Sequence, residues 1–180
     1  MTIKISKNNK PLKTAKKNNT KKEKRETKIQ KSFTDYGFGF PIEIKDVPMI
    51  KIRGQWTPNV NYNGIANALL LALIHKPVRL TGNEIRFIRQ YFEVTLETFG
   101  KKFDVSHVGV KKWEDFKDNP TNMKWPTELV IRLFVCSRCN IELIPEVYKE
   151  LENKFSERKR IIKIDFRDIV KTNDKVYAYG

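Results

Sequence analysis

Between Thr81 and Ser106 the chain carries three helix-start signals, so closely spaced that only short helices fit between them. Thr81-Gly82-Asn83-Glu84 has the form of a capping box. In it the Thr side chain meets an orphan first-turn amide while Glu reaches back to the amide of Thr. Ile85, Ile88 and Phe92 follow at helical spacing, which leaves Arg86 and Arg89 for solvent or a partner. Thr95 opens a second helix that buries Leu96, Phe99 and Phe103. Asp104-Val105-Ser106 interrupts that pattern, and Ser106 caps a third helix carrying Val110 and Trp113 inward. Asn119-Pro120 marks a loop, and a fourth helix begins at about Thr127 with Glu128 in its positive first turn. This succession of short amphipathic helices predicts a mainly α fold built on a compact helical bundle.

The flanks are shorter and partly extended. Pro41 to Ile44 and Met49 to Arg53 alternate apolar with polar, the pattern of half-buried strands. Asp46-Val47-Pro48 reads as the turn of a hairpin between them, and Gly54 to Pro58 as loop. Asn61 or Asn63 caps a helix running to about His75, with Ile65, Leu69, Ala72 and Leu73 inward. Ala68 to Ile74 is apolar nearly all round, so this helix is expected to be covered on more than one side. After residue 140, a helix from about Pro145 to Arg158 carries Val147, Leu151 and Phe155, and Ile162, Ile164 and Phe166 alternate like a short strand. The expected organisation is a disordered Lys-rich tail over 1–34, a hairpin-plus-helix layer over 35–76, the helical unit over 77–140 and a C-terminal helix and strand over 141–180.

Charge is distributed unevenly. Residues 1–31 hold twelve basic residues against Glu23 and Glu26, and so carry +10 of the chain's +15. That segment has too little apolar content to offset its ordering entropy, and we read it as a solvated arm whose lysines can neutralise phosphates. The longest apolar run, Ala68 to Ile74, is far short of the ~20 residues a bilayer span needs. No apolar signal segment is visible at the N-terminus, and two cysteines make no disulfide framework. The expectation is a cytoplasmic protein with no membrane partner.

The functional content sits in the second and third short helices. Two helices joined by a tight turn need a very small residue where their backbones approach, and Gly100 supplies it. Such a corner leaves the outer face of its second helix free to enter a major groove. By helical periodicity that face is Val108, Lys111, Lys112 and Asp115, with His107 at the exposed first turn. The lysines can reach guanine O6/N7 or phosphate, and Val108 a thymine methyl.

The run Val94-Thr95-Leu96-Glu97-Thr98-Phe99-Gly100-Lys101-Lys102-Phe103-Asp104-Val105-Ser106, followed by Val110 and Trp113-Glu114, resembles the Cro/cI (Xre) helix-turn-helix family. The lead-in from Lys76-Pro77 through Leu80 to Arg89 is similar to that of antitoxin-like regulators of the zinc-ribbon class, without their paired Cys-x-x-Cys motifs. Leu96, Gly100 and Asp104 depart from the family's usual Gln, Ala and turn Gly. The resemblance implies a lambda-repressor-like domain that reads double-stranded DNA, often as a homodimer, with a recognition helix at about 107–115. On this reading we expect Arg86 or Arg89 and the helix ends at Thr95 and Ser106 on phosphate, and His107, Val108, Lys111 and Lys112 on bases. The alternative readings are an antitoxin-like protein that neutralises a toxin partner and an RNA binder using the basic tail.

No other chemistry is indicated. Cys136-Ser137-Arg138-Cys139 is a lone Cys-x-x-Cys without the second ligand pair a zinc site needs, and reads as small hydrophobes on a packed helix. There is no glycine-rich phosphate loop, no His-Glu-x-x-His and no nucleophile elbow. We therefore expect no enzyme, no cofactor and no metal.

Overall fold

A computed structural model describes residues 26–139, 141–152 and 161–167. Its elements are β1 (Thr27–Asp35), β2 (Ile42–Ile52), β3 (Gln55–Pro58), α1 (Tyr62–Ile74), α2 (Gly82–Tyr91), α3 (Leu96–Lys102), α4 (His107–Glu114), α5 (Trp125–Cys139), α6 (Ile144–Glu152) and β4 (Ile162–Asp165). The expectation of a mainly α, lambda-repressor-like bundle is overturned. The fold is mixed, with a four-stranded sheet beside six helices among the described residues.

Three local features account for the difference. The stretch from Thr27 to Thr34, expected as tail, is most of β1, which pairs antiparallel with β2 from Thr27↔Ile50 to Asp35↔Ile42. It looks polar because it is an edge strand with most side chains exposed, and edge strands carry lysines that discourage further pairing. The expected hairpin turn at 46–48 lies inside the single strand β2. Asp46 there adopts a left-handed conformation, and the inward set shifts from Ile42 and Ile44 to Val47 and Met49. The broken alternation imitates a turn. A hairpin lies one step on, where Arg53, expected as strand, and Gly54, both at positive φ, join β2 to β3, which occupies the stretch expected as loop.

β4 then runs parallel to β2, with Ile42↔Ile162 and Ile44↔Ile164 in register. Since β1 covers one side of β2, β3 and β4 share the other. Ile162 and Ile164 are buried, as their alternation indicates. The charge-rich segment 1–25 lies outside the described residues, as do the C-terminal part of the helix expected to reach Arg158 and its Phe155.

The helices follow their caps. Asn61 accepts from the amides of Asn63 at 3.0 Å and Gly64 at 3.4 Å to start α1. The Thr81–Glu84 capping box is complete, with Glu84 Oε2 2.8 Å from the amide of Thr81. α5 starts at Trp125 rather than Thr127, with Pro126 in its first turn, where a missing N–H costs nothing. α1 packs on β4 and on α5, which explains why Ala68, Leu69, Leu70, Leu73 and Ile74 are all buried across more than half of the helix circumference. Ala72, expected inward, is only half-buried. Sheet and helices share one continuous hydrophobic core.

A buried charge network ties α1, the 76–81 segment and α5 together. The Arg132 guanidinium donates to the carbonyls of Leu73 and Ile74 at 3.0 Å, of Lys76 at 2.7 Å and of Val78 at 2.7 Å. It thereby caps the C-terminal carbonyls of α1, of which Leu73 O also takes the amide of Lys76 at 3.4 Å. Glu128, fully buried, accepts from Arg132 at 2.9 Å, from Arg79 at 2.6 Å and from the amide of Leu80 at 3.0 Å. It is not the surface first-turn acid its position suggests. Burial lowers the Arg132 pKa while Glu128 opposes the shift. A second buried pair, Lys76–Glu84 at 2.6 Å, joins the same segment to α2.

Candidate nucleic-acid interface

α3 and α4 meet in a tight corner. Phe103 N and Val105 N each donate to Gly100 O at 3.0 Å, and Asp104 takes a left-handed conformation between them. A Cβ on Gly100 would fall inside van der Waals contact with the carbonyl oxygen of Val105. The backbones thus approach where Gly100 is expected to permit it. Thr95 accepts from Thr98 N at 3.1 Å and Ser106 from Gly109 N at 3.1 Å, so both act as the N-caps their positions indicate.

One face of α4 is anchored and the other is open. Val110, Trp113 and Glu114 are buried. His107, Val108, Lys111, Lys112 and Asp115 are exposed, with Val108 at 49%. Lys111 pairs with Asp115 one turn on, an exposed contact that contributes little to stability. The positive surface extends beyond the expected residues to Lys101, Lys102 and Lys117, which are exposed as well. Lys117, at positive φ in the loop after α4, carries no periodic signal that a sequence reading can use.

Arg86 and Arg89 are placed otherwise than expected. Both turn toward Glu114, which is 3% exposed at the end of α4. Arg89 sets its Nε 2.6 Å from Glu114 Oε1 and its Nη1 3.0 Å from the Val94 carbonyl, and little of its side chain meets solvent. It is a clamp between α2 and α4, not a side chain left for a partner. Arg86 makes one longer contact, Nε to Glu114 Oε2 at 3.2 Å, and is half-exposed. Gly82 completes the junction. A methyl group there would lie 2.6 Å from the amide nitrogen of Lys117 and 2.7 Å from the carbonyl oxygen of Glu114. The first α2 amides donate into this loop, Gly82 to Asn119 O at 3.3 Å and Asn83 to Lys117 O at 2.8 Å.

Among the described residues, no group of three or more metal-ligating side chains comes together. Cys136 is buried and Cys139 half-buried near the end of α5. Burial, then the neighbouring Cys136, pushes the Cys139 thiol up to about 11, so it stays protonated and weakly reactive at neutral pH. No described helix is long and apolar enough to cross a membrane. Comparison of the chain with protein-family models, with characterised proteins and with solved structures finds no match.

Proposed function

We propose that the chain is a sequence-specific reader of double-stranded DNA that lays the outer face of α4 in the major groove. The observation that carries this reading is the asymmetry of α4. Val110, Trp113 and Glu114 fix one side to the body, while His107, Val108, Lys111 and Lys112 face solvent along the other. An α-helix fits a B-DNA major groove, lysines can donate to guanine O6 and N7, and Val108 suits a thymine methyl. The Thr95 and Ser106 ends present first-turn amides of the kind that meet phosphates. The lysines of the N-terminal segment add affinity that falls with salt. This is a binding function with no catalytic step, exercised in the cytoplasm, and α2–α4 with their corner serve as its helix-turn-helix unit.

Arg86 has a free edge for phosphate in this arrangement, whereas Arg89 acts indirectly by holding Glu114. The test is a mobility-shift titration of the full chain on a duplex that it selects. Lys111→Ala with Lys112→Ala is expected to weaken specific binding about ten- to a hundredfold for each base interaction removed. Non-specific binding should fall far less. Equal weakening on specific and random duplexes would reduce α4 to a phosphate-binding element, and an unchanged affinity would remove it from the interface.

A further inference from the structure

On the far side of α2 a half-open pocket of about 400 Å³ separates the β1–β2 loop from the helix. That volume lies within the range of small-molecule sites. Its apolar walls are rings. Phe38 stands edge-on to Phe87 with centroids 5.6 Å apart, and Tyr91 follows Phe87 at 6.1 Å. Tyr91 donates its hydroxyl to Asn67. The polar side is formed by Asn83, Arg86 and Gln90. Arg86 supplies the pocket's one formal charge. Its Nε is on Glu114, and among the described residues neither terminal nitrogen has a hydrogen-bond partner.

The carboxylates near the rim are already engaged. Asp35 accepts from the amide of Gly37 at 2.6 Å, Asp118 from Asn83 at 2.9 Å, and Glu114 from both arginines. The pocket is therefore walled by rings on one side and carries one cation, paired through Nε with Glu114 and with its terminal donors to spare. Its complement is a planar apolar body carrying a single negative charge. A guanidinium with two free terminal N–H groups matches the fork of a carboxylate. The same fork can also pair with a phosphate, but the amides of the glycine loop add nothing to it, Gly37 N being on Asp35 and Gly39 N on Tyr36 O at 3.0 Å. We infer that this pocket binds a small aromatic carboxylate, its ring laid against the packed pair Phe38 and Phe87 and its carboxylate on Arg86. The inference does not rest on the DNA reading and would survive its failure, although a phosphate and the carboxylate would compete for the same edge of Arg86.

The experiment is an NMR titration of the full chain with benzoate, salicylate and 1-naphthoate, each beside its neutral primary amide. Saturable shifts are expected at the Arg86 Nε–H and at the amides of Gly37, Phe38 and Gly39, with the amide ligands binding at least about tenfold more weakly. Arg86→Gln should abolish the response. Gln90→Glu, an exposed change that places a negative charge at the mouth and touches no core residue, should weaken it similarly. The inference is overturned if no carboxylate saturates below about 10 mM, a limit already weaker than useful recognition. It is equally overturned if the shifts map to the lysine-rich surfaces, if the amide ligands bind as well, or if Gln90→Glu changes nothing.

Discussion

Arg132→Met is expected to lower the stability of the folded chain by about 3–5 kcal/mol, the cost of breaking a buried ion pair from one side. Three losses coincide. Glu128, with no exposed surface, keeps among the described residues only Arg79 as a cationic partner. The carbonyls of Leu73, Ile74, Lys76 and Val78 lose the guanidinium that satisfies them, in a place water does not reach. The link from the end of α1 to α5 goes with them. Denaturant unfolding followed by circular dichroism measures the change. Replacing both members, Glu128→Leu with Arg132→Met, is expected to recover part of the loss, because no charge is then stranded. Arg132→Met within about 1 kcal/mol of the parent would mean that the network contributes no more than a surface pair.

The second large effect is steric. Gly82→Val and Gly100→Val are each expected to destabilise by about 2–3 kcal/mol, the scale of an overpacked core. At both sites the atoms in the way are backbone, so no side chain can swing aside. At Gly100 the obstacle is the Val105 carbonyl, and at Gly82 it is Lys117 N with the carbonyls of Trp113 and Glu114. The two variants are expected to differ in function. Gly100→Val opens the α3–α4 corner and so displaces the outer face of α4, whereas Gly82→Val loosens α2 from the end of α4. Both should lose specific DNA affinity beyond what their remaining folded fraction accounts for. Thermal melts and binding titrations on the same samples separate the two effects. Full affinity at temperatures where each variant is folded would show that α4 needs neither anchor.

The caps are legible in the sequence because their chemistry is local. Asn61, Thr81, Thr95 and Ser106 each satisfy an amide two or three residues away, so the residue type and its offset suffice. Gly100 is legible too, since a close approach after a short helix admits few residues. The sheet is not. β1 exposes its side chains at an edge, and β2 changes its inward parity at Asp46, so the two cues that mark a strand are both blunted. The polar network is hidden for a different reason. Glu128 and Arg132 sit at i, i+4 like an ordinary surface pair, and only the chain from Leu73 to Leu80 folded over them makes the site dry. Arg89 misleads in the same way. Its helical position faces outward until Glu114, twenty-five residues on, comes to meet it.

The most direct test of the central claim is selection of bound sequences from random duplexes by the full chain, at low and at near-physiological salt, repeated with Lys112→Ala. One short enriched word that persists at the higher salt is expected, with the preference relaxed at one base position for the variant. A pool that stays random, or an enriched word that Lys112→Ala leaves unaltered at every position while overall affinity follows salt alone, would contradict it.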